Sequence, residues 1–293
     1  MSDVATRAAI GRVLVLGTGT MGQGIAQVTA QAGIETHLYD VEAARIDAAL
    51  AAVRGGLDRL VTKGKLDGAT RDATLGRLAA RADLAAACEG IDLVIEAAPE
   101  QMSLKVEVLS KVKALAPAHA IVASNTSSLS ITEIGNRIGA PERTIGLHFF
   151  NPPPVMELLE IVRGLQTDAG TLETCVELAK RLGKTSIVVR DVPGFATSRL
   201  GVAIGAEAMR MFESGVASIA DIDRAMELGY RHPMGPLKLT DLVGLDVRLR
   251  IADYLHQALG AERFAPPAIL RRLVAEGKLG KKSGHGFYDW SQP

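Results

Sequence analysis

Only two of the 293 residues are cysteine, Cys88 and Cys175. They lie far apart and outside any CxxC or zinc-binding spacing. That excludes a disulfide scaffold, and both read as reduced, buried thiols of a reducing compartment. Net charge is also missing, since 33 Lys and Arg balance 33 Asp and Glu. No global field therefore calls for nucleic acid or an anionic membrane. The one basic run, GKLGKKSGHG near the C-terminus, is short and reads as solvated. No stretch reaches about 18 uninterrupted apolar residues, so no membrane-spanning helix is expected. The opening, MSDVATRAAIGRVLVLG, lacks the basic, apolar, small order of a cleaved leader and runs into a core strand. These absences predict a soluble, cytoplasmic protein. No internal repeat, GxSxG elbow or metal-ligand cluster stands out.

What is present is ordinary globular composition, 47% hydrophobic and 23% charged. At about 100–200 residues per domain the length favours two domains. RVLVL (12–16) is a β-branched run followed by GTGTMGQG and IAQVTAQAG, which predicts a strand, a glycine turn and a helix ending at Gly33. Gly17, Gly19 and Gly22 form a GxGxxG. The first permits the tight turn, the second lets a pyrophosphate approach the backbone, and the third lets helix and strand pack closely. A second strand, ETHLYD, ends at Asp40. An acid there accepts from ribose hydroxyls and repels a 2′-phosphate, which favours NAD over NADP.

Residues 42–81 read as a long helical stretch. Three apolar strand candidates follow, IDLVIEAA (91–98), AIVASN (120–125) and TIGLHFF (144–150), with helical segments between them. This alternation predicts a mostly parallel α/β sheet with right-handed crossovers. Ligands bind beyond the C-terminal strand ends of such sheets, which singles out Glu100, Asn125 to Ser128 and His148. ELLEIV (157–162) and TSIVVRD read as further strands around a helix, TLETCVELAKRLG. Past DVPGF (191–195) only helical periodicity remains. The reading is a nucleotide-binding domain over 1–190 and an all-helical domain over 191–293, with a hinge at Pro193–Gly194. Ser218 and Asp221 look like a capping box.

His148 lies in GLHFFNPPPVMELLEIV (146–162), an almost wholly apolar run. If ELLEIV is a strand, Glu160 shares a face with Leu158 and Val162. A carboxylate there is costly unless paired, and a hydrogen bond to His148 would satisfy both groups. The residues alone leave two readings open: a satisfied structural pair, or a general base with its orienting carboxylate. The hydroxyls of SNTSSLSIT (124–132) are similarly open, to holding a substrate oxygen or to capping the next helix.

GTGTMGQGIAQ, EAAPE, SNTSSLSIT, LHFFNPPPVMELLEI, DVPGF, HPMGPLKLTDLVGLD and GKKSGHGFYDW, in this order, resemble the (S)-3-hydroxyacyl-CoA dehydrogenases. The short bacterial 3-hydroxybutyryl-CoA type is the most similar in length. The resemblance covers almost the whole chain, and SNTSSLSIT followed by HFFNP is its most specific part. It implies a Rossmann-like N-terminal domain, NAD as cofactor, an acyl-CoA substrate, a place in fatty-acid β-oxidation or a related pathway, and a homodimer formed by the helical domain. It further implies His148 as catalytic base, Glu160 as its partner and Ser127 as ligand of the substrate hydroxyl. By the same resemblance Asp40 meets the ribose, Glu100 and Lys105 line the nicotinamide half, and Asn151 lies near the substrate. Lys63 and Lys65 are candidates for the CoA phosphates, with ordinary exposed lysines as the alternative.

One position departs. The family pattern PGFxxNR places Asn before Arg, whereas this chain has PGFATSRL, with Ser198 at that point. An amide offers two donors and a carbonyl, a hydroxyl a single shorter donor. Rate and substrate preference are therefore in question more than reaction class. Two rival readings follow: oxidation of a free hydroxy acid or sugar acid, with Arg199 the nearest carboxylate ligand, or a catalytically weak NAD-binding protein with Ser198 as the lesion.

Overall fold

A computed structural model describes residues 9–291. The opening segment MSDVATRAAIGRVLVLG falls partly outside them. The chain divides into two compact units, Met1–Asp191 and Val192–Pro293.

The first unit opens with β1 (Arg12–Leu16), α1 (Thr20–Gln31), β2 (Glu35–Tyr39), α2 (Ala43–Thr62), α3 (Gly68–Gly76), β3 (Leu78–Ala80) and α4 (Leu84–Cys88). It continues with β4 (Leu93–Glu96), α5 (Met102–Leu115), β5 (Ile121–Ser124), α6 (Ile131–Ile138), β6 (Thr144–Phe149), β7 (Leu158–Arg163), α7 (Ala169–Arg181) and β8 (Thr185–Arg190). The strands make one eight-stranded sheet in the order β3-β2-β1-β4-β5-β6-β7-β8. All neighbours pair parallel except β6 and β7, which run antiparallel. The strand order reverses between β1 and β4, the crevice where open α/β sheets bind ligands. Val13, Val15, Leu93, Ile95, Ile121, Ile145 and Leu147 are buried, as expected of strands covered on both faces.

The long helical stretch expected over 42–81 is not one helix. It breaks after Thr62, where Gly64 takes φ +65°, and Asp67 restarts it by capping Thr70 through its carboxylate. It then yields the edge strand β3, whose sequence LAA carries no β signature and is held in place by pairing with Thr36 to Leu38.

The second unit contains α8 (Thr197–Glu213), α9 (Ile219–Arg224), α10 (Pro236–Val243), α11 (Leu245–Leu259) and α12 (Ala268–Ala275). Ser218 caps α9, its oxygen accepting from the Asp221 N–H at 3.2 Å while its hydroxyl donates to the Asp221 carboxylate at 2.7 Å. Met209, Ile222, Leu237, Leu245, Leu270 and Phe287 form one apolar cluster. Buried Asp241 ties down the C-terminal tail, accepting from the N–H groups of Phe287 and Tyr288 and from Trp290 Nε1. Among the described residues no helix is long and apolar enough to cross a membrane.

Candidate active site

The glycine turn between β1 and α1 is built for a close approach. Gly17 takes φ +89°, where an L side chain is strained. A Cβ on Gly22 would stand 1.8 Å from the Gly17 carbonyl oxygen, so any larger residue would push helix and strand apart. Gly19 has open space where its Cβ would be, and it caps α1 without a side-chain hydrogen bond. The first N–H groups of α1 are thus available to a phosphate. Gly17, Gly19, Asp40, Glu42, Arg45 and Pro99 are among the residues lining a cavity of about 510 Å³ at this end of the sheet. That is the volume class of small-molecule and cofactor sites. Asp40 accepts from the Thr18 N–H at 2.8 Å and from the Glu42 N–H at 3.2 Å. It therefore fixes the turn as well as facing the cavity. The donor set fits a dinucleotide.

His148 and Glu160 meet because the antiparallel register of β6 and β7 sets them directly opposite. Glu160 is fully buried and His148 7% exposed. The hydrogen bond between His148 Nδ1 and Glu160 Oε2 is 2.9 Å, and the Phe150 ring packs at 4.5 Å from the imidazole. A carboxylate at Nδ1 keeps the proton on that nitrogen and leaves the lone pair on Nε2. Beyond β6 the chain turns through Asn151 and the prolines. Lys184 clamps this turn by donating to the carbonyls of Pro153 and Met156, each at 2.7 Å. Burial lowers the pKa of Lys184. The Phe149 N–H donates to Asn125 Oδ1 at 2.8 Å, which binds the end of β6 to the loop after β5.

That loop is organised around Glu100. Its Oε1 accepts from the Thr126 hydroxyl at 2.5 Å, the Ser127 N–H at 3.0 Å and the Ser128 hydroxyl at 3.1 Å. Burial pushes the Glu100 carboxyl upward, but the Lys105 ammonium at 3.3 Å and these donors outweigh it and hold the pKa below the usual value. Ser130, in the same run of hydroxyls, caps α6 by accepting from the Glu133 N–H. The helix-cap reading of SNTSSLSIT thus falls to Ser130, while the hydroxyls of Thr126, Ser127 and Ser128 are directed to Glu100.

Beneath Glu100 lies a group that pattern and spacing did not single out. Lys105 is 1% exposed and Glu96 fully buried. Lys105 Nζ donates to Glu96 Oε1 at 2.7 Å and to the Ala98 carbonyl at 3.1 Å. Glu96 Oε2 accepts from the Ser124 hydroxyl at 2.6 Å, across the pairing of β4 with β5. A signal is present: a glutamate ending an otherwise apolar strand, followed nine residues later by a lysine on an inward helix face. Lys105 lies under the loop and reaches its surface through Glu100.

Lys63 is exposed at the end of α2 and Lys65 exposed just after it. Ser198 lies in the first turn of α8, in the helical unit. Arg199 stands over the Phe264 ring, 5.7 Å from its centre. Cys88 and Cys175 are buried and unbridged, and burial pushes the Cys88 thiol up to about 11. Among the described residues no three His, Cys, Asp or Glu side chains gather as a metal ion would require.

Residues 12–192 match the family described as 3-hydroxyacyl-CoA dehydrogenase, NAD binding domain, and residues 194–290 match its C-terminal domain. The chain belongs to the 3-hydroxyacyl-CoA dehydrogenase family. A probable 3-hydroxybutyryl-CoA dehydrogenase of Bacillus subtilis is 43% identical over 97% of this chain and 98% of its own. A 3-hydroxyadipyl-CoA dehydrogenase of Escherichia coli is also 43% identical, over 95% of this chain and 58% of its own. The crystal structure of (S)-3-hydroxybutyryl-CoA dehydrogenase from Ralstonia eutropha superposes with a TM-score of 0.93 at 39% identity, covering 97% of this chain and all of that one. The family assignment makes the protein an NAD-dependent oxidoreductase.

Proposed function

We propose that this dehydrogenase interconverts short-chain (S)-3-hydroxyacyl-CoA and 3-ketoacyl-CoA, 3-hydroxybutyryl-CoA foremost, and that His148 carries the proton. The observation that bears most on this reading is the buried His148–Glu160 pair on facing strands. His148 takes the 3-hydroxyl proton at Nε2. Glu160 stabilises the resulting imidazolium through Nδ1. Ser127 holds the substrate oxygen, its backbone fixed by Glu100. Bound NAD supplies the hydride acceptor. In the reducing direction His148 returns the proton to the developing alkoxide. A cytoplasmic setting fits two buried thiols kept reduced.

The test is NADH oxidation with acetoacetyl-CoA, with NADPH and with free acetoacetate in parallel. Turnover is expected with NADH and the thioester alone. Turnover of the free acid, or equal use of NADPH, would contradict the reading. Ser198→Asn is expected to change kcat/KM by no more than about tenfold, the worth of one net hydrogen bond. A larger gain would mean that the serine limits the enzyme.

A homodimer belongs to the same reading. In the helical unit α8 exposes Leu200 and Ile204, and α10 exposes Leu239, Leu242 and Val243. Spacings of three and four residues put each set on one helix face. An apolar face of this kind suits a second copy of the chain. Light scattering should give twice the chain mass, falling to one chain for Ile204→Arg. A monomeric wild type would remove the proposal.

A further inference from the structure

Arg248, at the end of the first turn of α11, is 8% exposed, and its surroundings are not those of an ordinary buried arginine. Among the described residues its Nε is buried with no hydrogen-bond partner. Burial pushes its pKa down to about 10, with no acid to offset it. Beside it lies a cavity lined by Gly201, Val202, Gly205, Met209 and Thr240 among others.

The fold makes room for this charge. A Cβ on Gly201 would stand 2.8 Å from Arg248 Nη1, so glycine on α8 lets the guanidinium lie close against that helix. Thr240 has already committed its hydroxyl proton to the Pro236 carbonyl at 2.9 Å. The rest of the named lining is apolar or glycine. The donors aimed at the cavity are therefore those of Arg248. A guanidinium carries five N–H donors and no acceptor. Buried without a counter-charge, it is strongly unfavourable. The cavity measures about 10 Å³. That is room for one water-sized body against the guanidinium.

We propose that this cavity is a halide site, in which Arg248 binds one chloride ion within the helical unit. A halide, a single-atom anion, is the anion nearest that size, and unlike a water molecule it also neutralises the charge. Arginine suits the role because its guanidinium is weakly hydrated and stays protonated.

The test is thermal unfolding of the full chain in sodium chloride, bromide, formate and gluconate at one ionic strength, beside Arg248→Met. Relative to gluconate, chloride and bromide should raise the melting temperature of the wild type by about 2–4 °C, saturably. The variant should show no such rise. Should the variant not fold, diffraction from wild-type crystals grown in bromide decides, through an anomalous peak against the Arg248 nitrogens. Four outcomes would overturn the proposal: equal melting in chloride and gluconate, a halide gain that survives in Arg248→Met, a gain with formate but not halide, or no bromide peak. The third would assign the charge to a carboxylate, and the first to water or to an acidic side chain of a second copy.

Discussion

His148→Gln should lower kcat with acetoacetyl-CoA by about 10²–10⁴-fold, the range contributed by a positioned general acid or base. NADH affinity should change little, because the glycine turn, Asp40 and the cavity beside them belong to the other half of the sheet. Glutamine is the informative replacement. Its amide can still donate to Glu160, so the buried carboxylate keeps a partner and the fold is spared the cost of an orphaned charge. Glu160→Gln probes the same unit from the other side. An amide can donate to Nδ1 and so favour the tautomer with the proton on Nε2, which can no longer accept one. Its kcat should fall at least about tenfold with a smaller effect on KM, since the loss is confined to the step in which charge develops. Stopped-flow measurement of the hydride step separates this from slow product release. A His148→Gln enzyme within about tenfold of wild type would leave the pair a purely structural one.

Much of this site is legible in the amino-acid sequence because period-two alternation is strict. Once ELLEIV is a strand, Glu160 has to lie on an apolar face, and the acid itself asks for a partner. The glycine turn is legible for a similar reason, since Gly17 and Gly22 are each required by backbone geometry that no other residue satisfies. The losses have physical causes too. LAA becomes a strand only because β2 offers unpaired edge groups, and no local preference encodes that. The Glu96–Lys105 pair is only half legible, since each residue leaves a signal but their meeting depends on how α5 packs under the sheet. Arg248 looks like any charged residue of an amphipathic helix. It lies close against Gly201 on another helix, a relation that spacing along the chain does not carry.

The second large effect is expected at Lys105. Lys105→Met keeps the length and the apolar stem but leaves Glu96 buried, with the Ser124 hydroxyl and the Ala98 N–H as its remaining donors. Removing one partner of a buried pair costs about 3–5 kcal/mol. For a unit of this size that is roughly 6–20 °C in melting temperature. The double variant Glu96→Gln/Lys105→Met should recover part of the loss, because no bare charge is then left inside, and the recovery measures the coupling. The change should also reach the loop above. Glu100 is held below the usual carboxylate range by Lys105 together with its hydroxyl and N–H donors. A carboxyl with a lowered folded pKa adds stability above its unfolded pKa and loses it as pH falls through the folded value. Without Lys105 that folded value moves up, so the variant should lose this contribution at a higher pH than the wild type. Ser127, whose N–H Glu100 accepts, should be less firmly placed, and KM for the thioester should rise. If Lys105→Met melted with the wild type, the buried pair would be no more than a neutral substitute for apolar packing, and the order of the SNTSS loop would have to come from Thr126 and Asn125 alone.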